Sequence, residues 1–283
     1  MTKLIHPPLL ALPLLFLSAA AMAQQQDSPS DKSAFEGDFL TVGAGLGVGP
    51  DFQGSNDYVV YPMAGAMGRV GPVTINPRVS GLALDLIPDF DKKISFSLGP
   101  VARARFERTG TIHDPVLAVL GNPKTAIEVG GTAGVSINRI TNPYDSLSFS
   151  VDVRWDIAKA HRGQTITPSM TYLTPLSRGT AIVFNASIEH VDDNYAQYYY
   201  DITPANALAT GLPVYTAQGG WKSASATLIG VVDLDGNIRN GGFALIGGVS
   251  YTRVLGSIAD SPIVSERGSA NQFIGALGIA YTF

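Results

Sequence analysis

The residues best suited to metal or acid–base chemistry are few and scattered. The chain has no Cys, which removes thiolate zinc sites, disulfides and cysteine nucleophiles together. Beyond His6, the histidines are His113, His161 and His190, and no two share the i, i+3 or i, i+4 spacing that gathers metal ligands on one face. His190-Val191-Asp192-Asp193 sets a base beside two carboxylates, the makings of a hydrolytic pair, but an Asp-rich loop is the plainer reading. Gly248-Val249-Ser250-Tyr251 lacks the closing Gly of a nucleophile elbow. Asp233-Leu234-Asp235-Gly236-Asn237 lacks the later ligands of a calcium loop and reads as a hairpin turn. Gly43, Gly45, Gly47 and Gly49 recur at every second residue, with no helix pattern after them, so they cradle no phosphate. No catalytic residue, cofactor or metal is expected.

Charges in alternation carry more information. Arg103, Arg105 and Glu107 share one face of a segment whose other face holds Ala102, Ala104 and Phe106. Asp152, Arg154 and Asp156 do the same against Val151, Val153 and Trp155. Period two recurs along the chain: Leu40, Val42, Ala44, Leu46 and Val48 against the glycines, Ile127 to Ile137, and Phe273, Leu277, Ile279, Tyr281 and Phe283 at the end. One face is greasy and the other small or polar over ten or more residues, longer than the strands of a soluble sandwich. These segments predict an all-β, antiparallel transmembrane β-barrel of about 12 strands, with ten as the alternative. Arg or Lys facing lipid costs roughly 2–4 kcal/mol at mid-bilayer. The six charges therefore point into the lumen, and their balanced signs favour pairing and a narrow, mostly closed barrel.

Composition agrees. Of 283 residues, 15% are charged and 31 are Gly, against about 25% charged and about 7% Gly in ordinary soluble domains. A net charge of −4 argues against a nucleic-acid partner. Lys3, the apolar run 9–21 and Ala21-Met22-Ala23 read as a signal peptide over 1–23. Residues 24–36 read as a flexible periplasmic leader, and 37–283 as the barrel, which implies the outer membrane.

Parity orients the chain. With both termini periplasmic, the long connections 108–124, 192–220 and 256–270 fall outside the cell, and 139–145, 174–179 and 234–240 become short turns. Eleven strands are evident, so one segment before residue 108 must be split or fail to span. Tyr58, Tyr61, Phe106, Tyr144, Trp155, Tyr172, Trp221 and Tyr251 are candidates for interfacial girdles. Tyr195, Tyr198, Tyr199, Tyr200 and Tyr215 crowd the longest loop, suited either to protein contact or to packing over the mouth.

Pro50-Asp51-Phe52-Gln53-Gly54-Ser55-Asn56-Asp57-Tyr58 resembles the Pro-Asp-Tyr-Glu-Gly-Ser-x-Asp-Tyr signature of the MipA/OmpV family, the MltA-interacting outer-membrane proteins. Asp152-Val153-Arg154, Gly211-Leu212-Pro213-Val214-Tyr215 and the stretch from Arg253 through Asp260-Ser261-Pro262 are similar to further family segments, in the same order. Phe52, Gln53, Asp201 and Ser257-Ile258 depart from it, mostly by losing acidic groups. The closing Tyr281-Thr282-Phe283 resembles the sorting signal of outer-membrane barrels. The resemblance implies a non-enzymatic scaffold joining a murein transglycosylase to a murein synthase, or, in other members, an adhesion or osmotic-stress protein. A narrow channel for small solutes or ions is the alternative. The partners so implied are outer-membrane lipid and lipopolysaccharide, the barrel-assembly machinery and murein hydrolase or synthase proteins.

Overall fold

The computed structural model describes residues 33–89 and 92–283. Residues 1–23, expected to be a signal peptide, and residues 24–32 of the expected leader lie outside the described residues. Residues 33–36 form a turn tied to a neighbouring one, Ala34 N–H donating to the Arg239 carbonyl at 2.6 Å.

Twelve strands follow: β1 (Phe39–Pro50), β2 (Tyr58–Val70), β3 (Val73–Arg78), β4 (Gly81–Asp85), β5 (Ile94–Arg105), β6 (Ala126–Asn138), β7 (Ser146–Asp156), β8 (Gln164–Pro175), β9 (Thr180–Val191), β10 (Gly220–Asp233), β11 (Gly242–Val254) and β12 (Asn271–Thr282). Each pairs antiparallel with the next, and β1 closes on β12 from Thr41–Thr282 to Val48–Gly275. Closure leaves no unpaired edge at the β1–β12 seam, as lipid demands. Ten of the strands run 11–14 residues. At about 3.3 Å per residue and a tilt near 40°, that suffices to cross an apolar band about 25 Å tall.

Alternation places side chains as expected. Val42, Leu46, Val48, Phe149, Val151, Leu277 and Ile279 are exposed on the lipid face. The lumen face carries hydroxyls joined across strands: Ser136 to Ser148 at 2.7 Å, Ser150 to Ser169 at 2.9 Å, Thr227 to Ser250 at 2.8 Å. Tyr144, Trp155, Trp221 and Tyr251 lie outward at the rims. Tyr61 does not join that girdle. It shares the lumen face with Gly47, its β1 partner, and its ring lies over the space a Gly47 Cβ would fill.

The unresolved count before residue 108 has a physical answer. β3 and β4, of 6 and 5 residues, form a short hairpin in place of two full strands. The turns at the terminus end are fixed by carboxylates, Asp145 accepting from the Ile140 and Thr141 N–H groups and Asp233 from those of Asp235 and Asn237.

The β1–β12 seam depends on Gly45 and on its partner Gly278, where a Cβ would meet the backbone of the facing strand. A Cβ on Gly45 would collide with the Leu277 carbonyl and the Gly278 backbone, whereas one on Gly65 meets open space. Gly45→Ala is expected to cost about 1–3 kcal/mol through overpacking, and Gly65→Ala within about 0.5 kcal/mol of nothing. Urea unfolding in lipid vesicles checks this. Equal stability of the two variants would contradict the seam geometry.

Candidate functional site: the capped mouth of the barrel

The long connections do not extend into solvent. They fold over the end opposite the termini, carrying helices α1 (Pro115–Ala118), α2 (Asp193–Tyr200), α3 (Pro204–Thr210), α4 (Gly256–Asp260) and α5 (Pro262–Ser265). Their apolar residues make the main core cluster: Phe52, Leu117, Tyr195, Tyr199, Tyr200, Ile202, Ile258 and Ile263 are all buried in it. The Tyr cluster is therefore internal packing over the mouth, and Tyr195, Tyr199 and Tyr200 offer no surface to a partner.

Local chemistry sets α2 in place. The Asp192 carboxylate caps its first turn, accepting from the Tyr195 N–H at 3.0 Å and from the Gln164 N–H at 2.8 Å. Asp193 accepts from the Gly219 N–H at 2.7 Å, closing the loop on itself. These carboxylates are structural, and His190 stacks edge-on against Trp221, 5.3 Å away, on the outer side. His and Asp of that segment do not converge on a hydrolytic pair. His113, half exposed, pairs with Asp51 at 3.3 Å. Among the described residues no group of three metal-ligating side chains forms.

The residues of the family signature hold the cap together. Pro50 ends β1 and Tyr58 opens β2, where its hydroxyl accepts from the Phe273 N–H at 3.0 Å. Between them Asp51 N–H donates to the Asp57 carbonyl at 3.0 Å, and Phe52 is buried. Gly54, at φ +104°, passes so close to Val264 that a Cβ would overlap it. Gly54 N–H donates to the Gln272 side chain at 3.1 Å, and Ser55 bridges to Gly268. Asp260 and Ser261 end α4, Ser261 Oγ donates to the Tyr200 carbonyl at 2.7 Å, and Pro262 starts α5. The two signature loops thus clamp one another and α2. They are an internal staple.

Beneath α2 lies a buried ion-pair network. Arg105 donates to Glu128 at 2.5 Å, to Glu189 at 2.8 Å and to the Tyr195 hydroxyl at 2.9 Å. Lys222 meets Glu189 at 2.6 Å and the same hydroxyl at 3.0 Å. The Tyr195 hydroxyl itself donates to Glu107 at 3.2 Å. Arg103 bridges Glu128 and Glu189, and Arg154 bridges Glu128 and Asp152. Arg78, at the end of β3, reaches Asp152 at 2.8 Å. His161 sits on Glu128 at 3.2 Å and packs edge-on against Tyr195. Four carboxylates thus face five cations. So dense a pairing offsets the several kcal/mol that desolvating each ion costs.

Of the six charges singled out by alternation, Arg103, Arg105, Glu107, Asp152 and Arg154 meet in this network. Asp156 does not. It accepts from the Ala158 and Arg162 N–H groups and holds the β7–β8 turn. The sequence reading missed Arg78, Glu128, His161, Glu189, Lys222 and Tyr195. Glu128 and Glu189 lie on polar faces of alternating strands and were open to the same argument. Lys222 was not, because a bulge between Trp221 and Ser223 breaks the alternation and turns it inward.

Burial raises the Tyr195, Tyr199 and Tyr200 phenols above their ordinary value and lowers the Arg108 guanidinium. Nε and Nη1 of Arg108 and the Tyr199 hydroxyl find no hydrogen-bond partner among the described residues. Unsatisfied groups of this kind favour the opened cap.

Two outcomes follow for the cap. Tyr195→Phe removes a hydroxyl shared by two cations and a carboxylate, and is expected to weaken closure by about 1–3 kcal/mol. Faster proteolytic cleavage within 201–219 of the folded barrel reports it, and an unchanged rate refutes it. The raised phenols make closure sensitive to alkali. Below the ordinary phenol value near 10 their contribution is complete. Above it the opened cap releases protons that the closed cap retains, so closure weakens by up to about 1.4 kcal/mol per pH unit for each phenol. Cleavage that does not accelerate above about pH 10 would contradict this.

In solved structures the chain is similar to a COG4313 outer membrane channel from Pseudomonas putida F1, at 15% identity and TM-score 0.43, over 91% of this chain and 100% of that one. It is also similar to OmpT of Vibrio cholerae (7%, TM-score 0.35, 87% and 97%) and to OprD of Pseudomonas aeruginosa (10%, TM-score 0.29, 90% and 96%). No curated protein matches the sequence. The family model for MltA-interacting protein MipA matches residues 42–283, from the first strand through the last residue, and the chain belongs to that family.

Proposed function

We propose that this outer-membrane barrel is a non-enzymatic platform for murein-machinery proteins, which it engages from the periplasmic side. The observation that carries the reading is the match to a family described as MltA-interacting over nearly the whole barrel. The capped mouth supports the choice of side. With the long loops folded onto one another, the rigid short turns and the residues preceding β1 are the surfaces left at the terminus end. Tyr144, Leu176 and Leu234 are exposed there, on or beside turns braced by Asp145 and Asp233. Exposed apolar and aromatic groups on a rigid frame suit protein contact. Cleavage after Ala23, sorting through Tyr281 and Phe283 by the assembly machinery, and contact with lipopolysaccharide complete the reading.

The hydroxyl-lined lumen favours a second reading, a narrow channel gated by the cap. Photo-crosslinkers at Tyr144, Leu176 and Leu234 are expected to capture a murein transglycosylase in cells, and crosslinkers at Leu208 and Val214 on the capped end are not. Adducts from the capped end alone would overturn the platform. Planar-bilayer recordings that show small unitary conductance, raised when the cap is loosened by Tyr195→Phe, would favour the channel.

A further inference from the structure

The barrel wall is interrupted at one place. β2 pairs with β1 along its whole length, from Tyr58–Pro50 to Arg69–Phe39. On its other side only Gly68, Arg69 and Val70 find partners in β3, so residues 58–67 face no strand there among the described residues. The cause is the β3–β4 hairpin, which turns back at residues 79–80. Extending the ladder in register would set Pro77 opposite Ala66, and proline has no N–H to offer. Past the turn β2 has no neighbour on that side, whereas β5 stays covered by β4 up to Ala104, whose N–H donates to the Ser80 carbonyl at 2.9 Å, so the opening is a notch between β2 and the tip of the hairpin.

β2 shows the consequence. Pro62, Met63, Ala64 and Gly65 are exposed in succession, so both faces of the strand are accessible. Val60 faces lipid beside Leu46 and Val48. Met63 and Met67 stand on the lumen face with Tyr61, opposite Gly45 and Thr41 of β1, and are 42% and 41% exposed. Met63 and Met67 are the apolar lumen side chains that border the gap. Arg78, with a quarter of its side chain exposed, lies at the end of the hairpin that forms the lower border.

An unpaired strand edge against hydrocarbon costs several kcal/mol per unsatisfied group, so such an edge is tolerated only where it lines a wet cavity. Lumenal water and lipid chains therefore meet at this border, which is the environment of an amphipath. We propose that the gap is a lateral port that admits a single-chain amphipath from the outer leaflet. Its tail lies over Met63, Met67 and Tyr61, and its polar head enters the lumen near Arg78. Addition of a strand from a second copy is the competing use of a free edge, but Pro62 in mid-edge offers no donor to it.

The Cys-free chain allows a direct test. Met63→Cys and Met67→Cys, with Val60→Cys on the lipid face and Ser169→Cys in the lumen as references, are labelled with bimane in phosphatidylcholine vesicles containing 9,10-dibromostearate. Bromine quenches bimane on contact. Quenching at 63 and 67 approaching that at 60, with 169 bright, is expected, and excess unbrominated stearate restores fluorescence at 63 and 67 but not at 60. Quenching at both positions no greater than at 169 overturns the proposal, as does quenching that stearate does not relieve. Disulfide-linked dimers of Ala64→Cys, formed in place of quenching, would overturn it in favour of strand addition.

Discussion

A backbone inside hydrocarbon has no water to bond, and every other feature of this protein answers to that constraint. It explains why the strands are long, why they alternate and why β1 must return to β12. It also explains the glycines. Gly45 lets the seam strands approach, and Gly47 and Gly49 yield lumen space to the Tyr61 ring and to Met63 and Ile274. The one departure, along residues 58–67 of β2, borders an apolar lumen patch. A violated rule is where function is best sought.

The same low dielectric that penalises an unpaired N–H also strengthens paired charges. Arg105, Glu128, Glu189 and Lys222 are nearly or fully shielded from water, and each touches at least two partners. They hold the wall strands β5, β6, β9 and β10 to one another, and through the Tyr195 hydroxyl they hold the wall to α2. The cap is thus fastened by polar chemistry below and by an apolar core above. The lower fastening depends on geometry and proton state, the upper on area alone.

The signature loops change meaning in this setting. Asp51 to Tyr58 and Asp260 to Pro262 carry the family resemblance in connections between strands. In the folded chain they are joints, with Gly54 against Val264 and Ser261 against Tyr200. Family resemblance at such positions reports the architecture of the mouth. The short turns at the terminus end are stiffened separately, by Asp145 and Asp233.

The amino-acid sequence by itself determined the class of structure. Period-two alternation is a local property, and hydrocarbon outside with polar groups inside enforces it residue by residue, so the strands, their facing and the short-turn and long-loop ends were legible. Five of six lumen charges were legible for the same reason. The tertiary structure alone decided what those charges do. Arg78 meets Asp152 across 74 positions of sequence, and Arg105 meets Tyr195 across 90. No periodicity encodes such pairs, because they depend on how the barrel curves and how loops fall across its mouth. Lys222 turns inward only because of a bulge, Asp156 leaves the lumen only because β7 ends there, and the opening beside β2 exists only because a hairpin stops short. Each is a relation between elements, and a one-dimensional pattern carries no record of it.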